Sequence, residues 1–74
     1  MSLRIIDVDY VKDYTLALTF NDGVKKNVNL EPYLTGKVFE PLRDLEIFRQ
    51  YGLTHWTIEW VNGADLAPEF LYGL

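Results

Sequence analysis

The stretch Tyr14 to Leu30, YTLALTFNDGVKKNVNL, constrains the fold more than any other part of the chain. Tyr14, Leu16, Leu18 and Phe20 alternate with Thr15, Ala17 and Thr19, the period of a strand with one buried face. Asn21-Asp22-Gly23 follows, and an Asp-Gly pair supplies the positive φ that a hairpin turn needs. Val24, Lys26, Val28 and Leu30 then alternate with Lys25, Asn27 and Asn29, which predicts a second strand paired back on the first. Upstream, Leu3 to Val11 is rich in Ile and Val. Strict alternation puts Ile6, Val8 and Tyr10 on one face and Ile5, Asp7, Asp9 and Val11 on the other. Lys12-Asp13 makes a tight break, so residues 3–30 read as a three-stranded antiparallel meander.

The pattern changes after Leu30. Pro32 and Gly36 bracket a loop, and Val38 to Tyr51 has helical spacing, with Pro41 as a break or first-turn residue. Asp44 suits the N-cap of a helix Leu45 to Tyr51. Leu45, Phe48 and Tyr51 share its face, and Gly52 is expected to end it in the left-handed conformation. His55 to Val61 returns to period two, with Trp56, Ile58 and Trp60 on one face and His55, Thr57 and Glu59 on the other. Asn62-Gly63 is read as a type I′ turn with positive φ at both residues. Ala64 to Leu66 is then expected to pair back, and Pro68 to open a last helix, Pro68 to Tyr72. The order β-β-β-α-β-β-α predicts an α+β fold. Its antiparallel sheet, a three-stranded meander plus a C-terminal hairpin, carries one or two short helices on one face.

At 74 residues the chain is expected to form a single domain, residues 1–74. It has no cysteine, so side chains alone must build its core. Eleven aromatic residues (two Trp, five Tyr, four Phe) are a large supply for that purpose. A cysteine-free sequence with no signal-peptide pattern and no apolar run of membrane-spanning length is expected to be soluble and cytoplasmic. The net charge is −4 and the only adjacent basic pair is Lys25-Lys26. Nucleic acid and anionic membrane are therefore not expected partners of this chain alone.

Few residues invite a chemical reading. Core packing is the expected role of Ile58 and Trp60. Trp56 shares that stripe and is also a candidate interface anchor, since Trp is enriched at binding hot spots. His55 has no second histidine or cysteine to act with and is expected on the surface. Asp65 precedes a helix start and is expected to accept hydrogen bonds from free N–H groups there. Asp7 and Asp9 share a strand face roughly 6.5–7 Å apart, a spacing open to a weakly held hard cation but more ordinary as a solvated face. No phosphate loop, catalytic triad pattern or zinc spacing is present, and no cofactor is expected. Phe70-Leu71-Tyr72-Gly73-Leu74 closes the sequence without a charged tail. Phe70, Leu71 and Tyr72 are therefore candidate interface residues with Trp56, with a two-fold homodimer as the default if copies associate.

LTFNDGVKKNVNLEPYLTGKVFEPLRDLEIF, followed by IEWVNGADLAPEFLY, resembles a small bacterial family labelled domain of unknown function 2442. The resemblance covers nearly the whole chain. It rests on Leu18 to Gly23 with Asp22, on Val38 to Leu42 with Phe39 and Pro41, on Trp60 to Leu66 with Asn62, Gly63 and Asp65, and on Leu71-Tyr72. It implies a compact α+β domain without an established activity. Some members resemble stand-alone proteins and some are fused to a helix-turn-helix, for which this chain has no room. Others are encoded beside a second small protein, as toxin–antitoxin pairs are. Two expectations follow. The first is a non-enzymatic interaction module, the antitoxin-like member of a two-gene pair. The rival is a small-molecule or metal-binding domain with weak enzymatic activity through Asp7, Asp9, Glu59 or Asp65.

Overall fold

Residues 2–74 are described by a computed structural model of the chain. The fold is α+β. Strands β1 (Ile5–Lys12), β2 (Thr15–Phe20) and β3 (Lys25–Asn29) form an antiparallel sheet in the order β1-β2-β3. Val8 and Tyr10 of β1 face Leu18 and Leu16 of β2, and these in turn face Lys26 and Val28 of β3. The alternation in β2 behaves as its sequence predicts, with Leu16, Leu18 and Phe20 fully buried.

In β1 the alternation is broken. The pairing slips between Ile5 and Asp7, the mark of a β-bulge, which inserts one residue and turns everything before it to the other face. Ile5 is therefore buried and Ile6 exposed, the reverse of strict period two. Val8 and Tyr10 keep their core-facing places. The turn at Asp13 is tight enough to hold this non-glycine residue at φ 46°.

The two glycine turns share one geometry, and it is not type I′. In the first, the Phe20 N–H donates to the Val24 carbonyl (2.8 Å) and the Phe20 carbonyl accepts from the Gly23 N–H (2.9 Å). In the second, Trp60, Ala64 and Gly63 repeat this pattern at 2.8 and 2.9 Å. Positive φ falls on Gly23 (92°) and Gly63 (86°), and neither Asp22 nor Asn62 has it. This is a three-residue loop, a type I turn closed by a left-handed glycine. Each loop is pinned by the side chain before the glycine. The Val24 N–H donates to Asp22 Oδ1 (3.0 Å), and the Ala64 N–H to Asn62 Oδ1 (3.1 Å).

The expected long helix is divided into single turns. After a 3-10 turn at Glu31–Tyr33 come α1 (Gly36–Phe39), a 3-10 turn at Glu40–Arg43 with Pro41 in its first turn, and α2 (Leu45–Phe48). Asp44 caps α2 as predicted, accepting from the Glu46 N–H at 3.0 Å. Gly52 does not end this helix in a left-handed turn. It lies in strand β4 (Tyr51–Leu53), which pairs antiparallel with β5 (Ile58–Trp60). Pairing places Tyr51 opposite Trp60 and satisfies backbone groups that a longer α2 would have used. The return strand expected at Ala64–Leu66 is reduced to one bridge, Glu59 to Asp65. The last helix, α3 (Pro68–Tyr72), has its predicted bounds.

One hydrophobic core joins these parts. Tyr14, just before β2, and Phe20, at its end, both pack with the core. Tyr14 meets Phe48 of α2 edge-on (5.3 Å between centroids), and Phe20 meets Tyr72 of α3 the same way (4.9 Å). Trp60 packs on Phe48 (5.7 Å), and its Nε1–H donates to the Phe48 carbonyl at 2.7 Å. Thr57, the buried polar residue, donates its hydroxyl proton to the Leu66 carbonyl. Trp60→Ala should cost about 3–5 kcal/mol, read as a lower urea midpoint. Gly63→Ala meets no atom within 4 Å, so its cost of about 1–2 kcal/mol should come from backbone conformation alone. The same melts should show no change in m-value for it.

Candidate functional site

The residues that carry the family resemblance hold the fold. Asp22, Gly23, Asn62 and Gly63 form the two loops. Asn62 also donates from Nδ2 to the Val38 carbonyl at 2.9 Å, tying the second loop to α1. Leu42 and Trp60 are core, and Phe39 and Leu66 pack against it. Pro41 is exposed and opens a turn where its missing N–H costs nothing. Asp65 does not cap α3: the cap position is Ala67, with no side-chain cap, and the Asp65 side chain is exposed.

The carboxylates of the rival reading are all on the surface. The bridge sets Glu59 directly opposite Asp65, a like-charge pair that opposes folding slightly. Asp7 and Asp9 lie on β1 near Tyr51. Burial first, and then the Asp9 carboxylate, push the Tyr51 phenol above its ordinary pKa. Among the described residues no three His, Cys, Asp or Glu side chains gather closely enough to hold a metal ion. His55 is exposed in the bend before β5. A shallow depression of about 490 Å³ opens between Gly36, Lys37, Glu40 and Pro41, and one of about 260 Å³ beside Ser2, Leu3, Asn21 and Asp22.

The four expected interface residues do not form one surface. Leu71 is fully buried and belongs to the core. Tyr72 is half-buried, and its hydroxyl donates to Asp22 Oδ2 at 2.7 Å. The Lys26 ammonium lies over the Tyr72 ring (5.7 Å) and donates to the backbone oxygens of Tyr72 and Leu74. Trp56 leaves the stripe of Ile58 and Trp60 because β5 begins only at Ile58. It is 41% exposed, and its carbonyl accepts from the Ile5 N–H at the β1 edge of the sheet (2.8 Å). Phe70, 40% exposed, packs against Tyr33 in the turn that follows β3. Sequence reasoning passed over Tyr33. Its signal is an aromatic residue after a proline, outside any alternating run.

Small helices packed on the core face of a three-stranded meander, with a two-stranded sheet beside it, define a compact α+β domain whose signature residues are its turns and core. The chain belongs to the family described as "Protein of unknown function (DUF2442)", whose sequence model matches residues 5–74. No curated protein and no solved structure matches it. No helix among the described residues is long and apolar enough to cross a membrane.

The Asp22–Tyr72 hydrogen bond couples the first loop to α3 and gives a pH signature. Accepting from Tyr72 and from the Val24 N–H holds the Asp22 carboxyl below the usual carboxylate range, and the bond to Asp22 raises the Tyr72 phenol. A depressed carboxyl pKa adds stability that is present above the unfolded value and lost as pH falls through the folded one. A raised phenol pKa adds stability that is present below the unfolded value and lost as pH rises through the folded one. Tyr72→Phe should therefore flatten the melting temperature against pH at both the acid and the alkaline end. In an NMR titration, Asp22 should move up toward the ordinary range.

Proposed function

We propose that this chain is a non-enzymatic protein-interaction module, the antitoxin-like member of a bacterial two-gene pair acting in the cytoplasm. Its partner is a second small protein encoded beside it. The observation that carries this reading is how the side chains divide. Signature residues such as Gly23, Leu42, Trp60 and Gly63 are occupied with turns and core. The aromatics Tyr33, Trp56 and Phe70 lie exposed outside that scaffold. Exposed aromatic area with a charged surround is what protein interfaces draw on. The net charge of −4 favours a basic protein partner over nucleic acid or an anionic membrane.

The rival reading, a small-molecule or metal-dependent domain, requires converging polar groups in a concave site. Asp7, Asp9, Glu59 and Asp65 are exposed, and none of them lines either depression described above. The test is light scattering across a concentration series, with and without the neighbouring gene's product. A defined complex with that product is expected. Self-association alone would put a homodimer in its place, and a strict monomer that ignores its neighbour would overturn the module reading.

A further inference from the structure

The loop that follows β5 contains a chemically reactive pair. Of the four asparagines, Asn21, Asn27, Asn29 and Asn62, only Asn62 is followed by glycine. An asparagine side-chain amide is open to attack by the backbone nitrogen of the next residue, and glycine leaves that nitrogen least hindered. We propose that Asn62 is a site of self-deamidation, held off while the second loop is closed and released when it opens. The fold itself demands the reactive pair. The left-handed position needs a glycine, Gly63 at φ 86°, and the position before it holds an Asx side chain that accepts from the Ala64 N–H.

The step needs no co-reactant but water. The Gly63 nitrogen gives up its proton and bonds to Asn62 Cγ. The Cγ–Nδ2 bond breaks, and ammonia leaves with that proton. The cyclic imide then takes up one water. Opening at Cγ leaves an aspartyl residue. Opening at the main-chain carbonyl leaves an isoaspartyl residue, with the backbone rerouted through the side chain.

The closed loop holds each group that must move. The Gly63 N–H donates to the Trp60 carbonyl at 2.9 Å, so the attacking nitrogen is engaged. Asn62 Oδ1 accepts from the Ala64 N–H (3.1 Å) and Nδ2 donates to the Val38 carbonyl (2.9 Å), which keeps the amide from swinging onto that nitrogen. The loop ends are buried, Trp60 and Ala64, and a 2.8 Å hydrogen bond joins them. Opening the loop therefore disturbs the core. Asn62 and Gly63 are themselves exposed, so hydrogen bonding rather than exclusion of water gives the protection. The twin loop has the same Gly23 to Phe20 bond but carries Asp22, whose carboxylate is a poor target for a nucleophile.

Both products damage the loop. The aspartyl form keeps the Ala64 contact, as Asp22 keeps the one to Val24, but turns a second oxygen toward the Val38 carbonyl. Two acceptors then face each other and the tie to α1 is lost. The isoaspartyl form adds a methylene to the backbone and no longer fits a three-residue loop.

The test incubates the full chain at mildly alkaline pH, folded and in urea. Peptide mapping with separation of aspartyl from isoaspartyl products then follows position 62. In urea, Asn62 should convert before Asn27 and Asn29. In the folded chain its conversion should be roughly ten-fold slower or more. Urea below the unfolding midpoint should speed it in step with the opened fraction. Asn62→Asp reports the product directly. Its urea midpoint should lie below that of the parent chain at neutral pH, and the gap should shrink in acid, where a protonated carboxyl donates to the Val38 carbonyl. Equal rates in the folded and unfolded chains would overturn the protection, and earlier conversion of Asn27 or Asn29 in urea would overturn the site. Asn62→Asp as stable as the parent at neutral pH would overturn the role of the Val38 tie.

Discussion

The Trp60 indole, packed on Phe48 with its N–H on the Phe48 carbonyl, is the contact on which the two halves of this fold depend. The three-stranded and two-stranded sheets share no strand pairing; one backbone hydrogen bond, from Ile5 to the Trp56 carbonyl, links them at the start of β1, and side-chain packing holds them together elsewhere. Phe48 sits between them, touching Tyr10 and Tyr14 of the meander on one side and Trp60 of β5 on the other. α2 is a single turn and has no stability of its own. What fixes it is the Asp44 cap at one end and this aromatic cluster at the other. A domain without disulfides relies on such a contact because a core this small has few ways to redistribute a loss.

The second economy is one loop used twice. Phe20-Asn21-Asp22-Gly23-Val24 and Trp60-Val61-Asn62-Gly63-Ala64 place a buried aromatic before the turn, an Asx side chain that accepts from the N–H two residues on, and a left-handed glycine. Each loop then reaches a helix through its Asx side chain. Asp22 accepts from Tyr72 on α3, and Asn62 donates to Val38 on α1. Residues that close turns thus also set where helices lie. The edges of the meander are covered by different means. The start of β1 is met by the Trp56 carbonyl, while β3 is short and bears exposed Lys25, Asn27 and Asn29, a composition that discourages unwanted strand pairing.

This arrangement bears on function by what it leaves over. The groups with the most chemical appearance in the sequence divide into exposed carboxylates and side chains engaged in the fold. Tyr72, which looked like free surface, is held by Asp22 and Lys26. The exposed aromatic area is divided between Trp56, whose carbonyl meets the start of β1, and the Tyr33–Phe70 pair. The proposed interaction module is consistent with both the engaged signature residues and the exposed rings.

Local pattern by itself determined the β2–β3 hairpin, the left-handed Gly23 and Gly63, the Asp44 cap and the bounds of α3. In each of these the deciding energy lies within a few residues: alternation, a missing Cβ, a side chain reaching a nearby N–H, a proline with no N–H to lose. Tertiary structure decided the rest. Ile5 rather than Ile6 faces the core because the β-bulge follows from pairing with a strand some fifteen residues away. Gly52 is strand rather than helix end because Tyr51 finds Trp60. The same competition shortens β5 and leaves Trp56 outside the stripe its spacing predicted. The Tyr33–Phe70 contact joins residues 37 apart in sequence, and no local pattern in either segment pairs them. Periodicity records what each residue prefers beside its neighbours in sequence, and only the packed chain determines which neighbours it has in space.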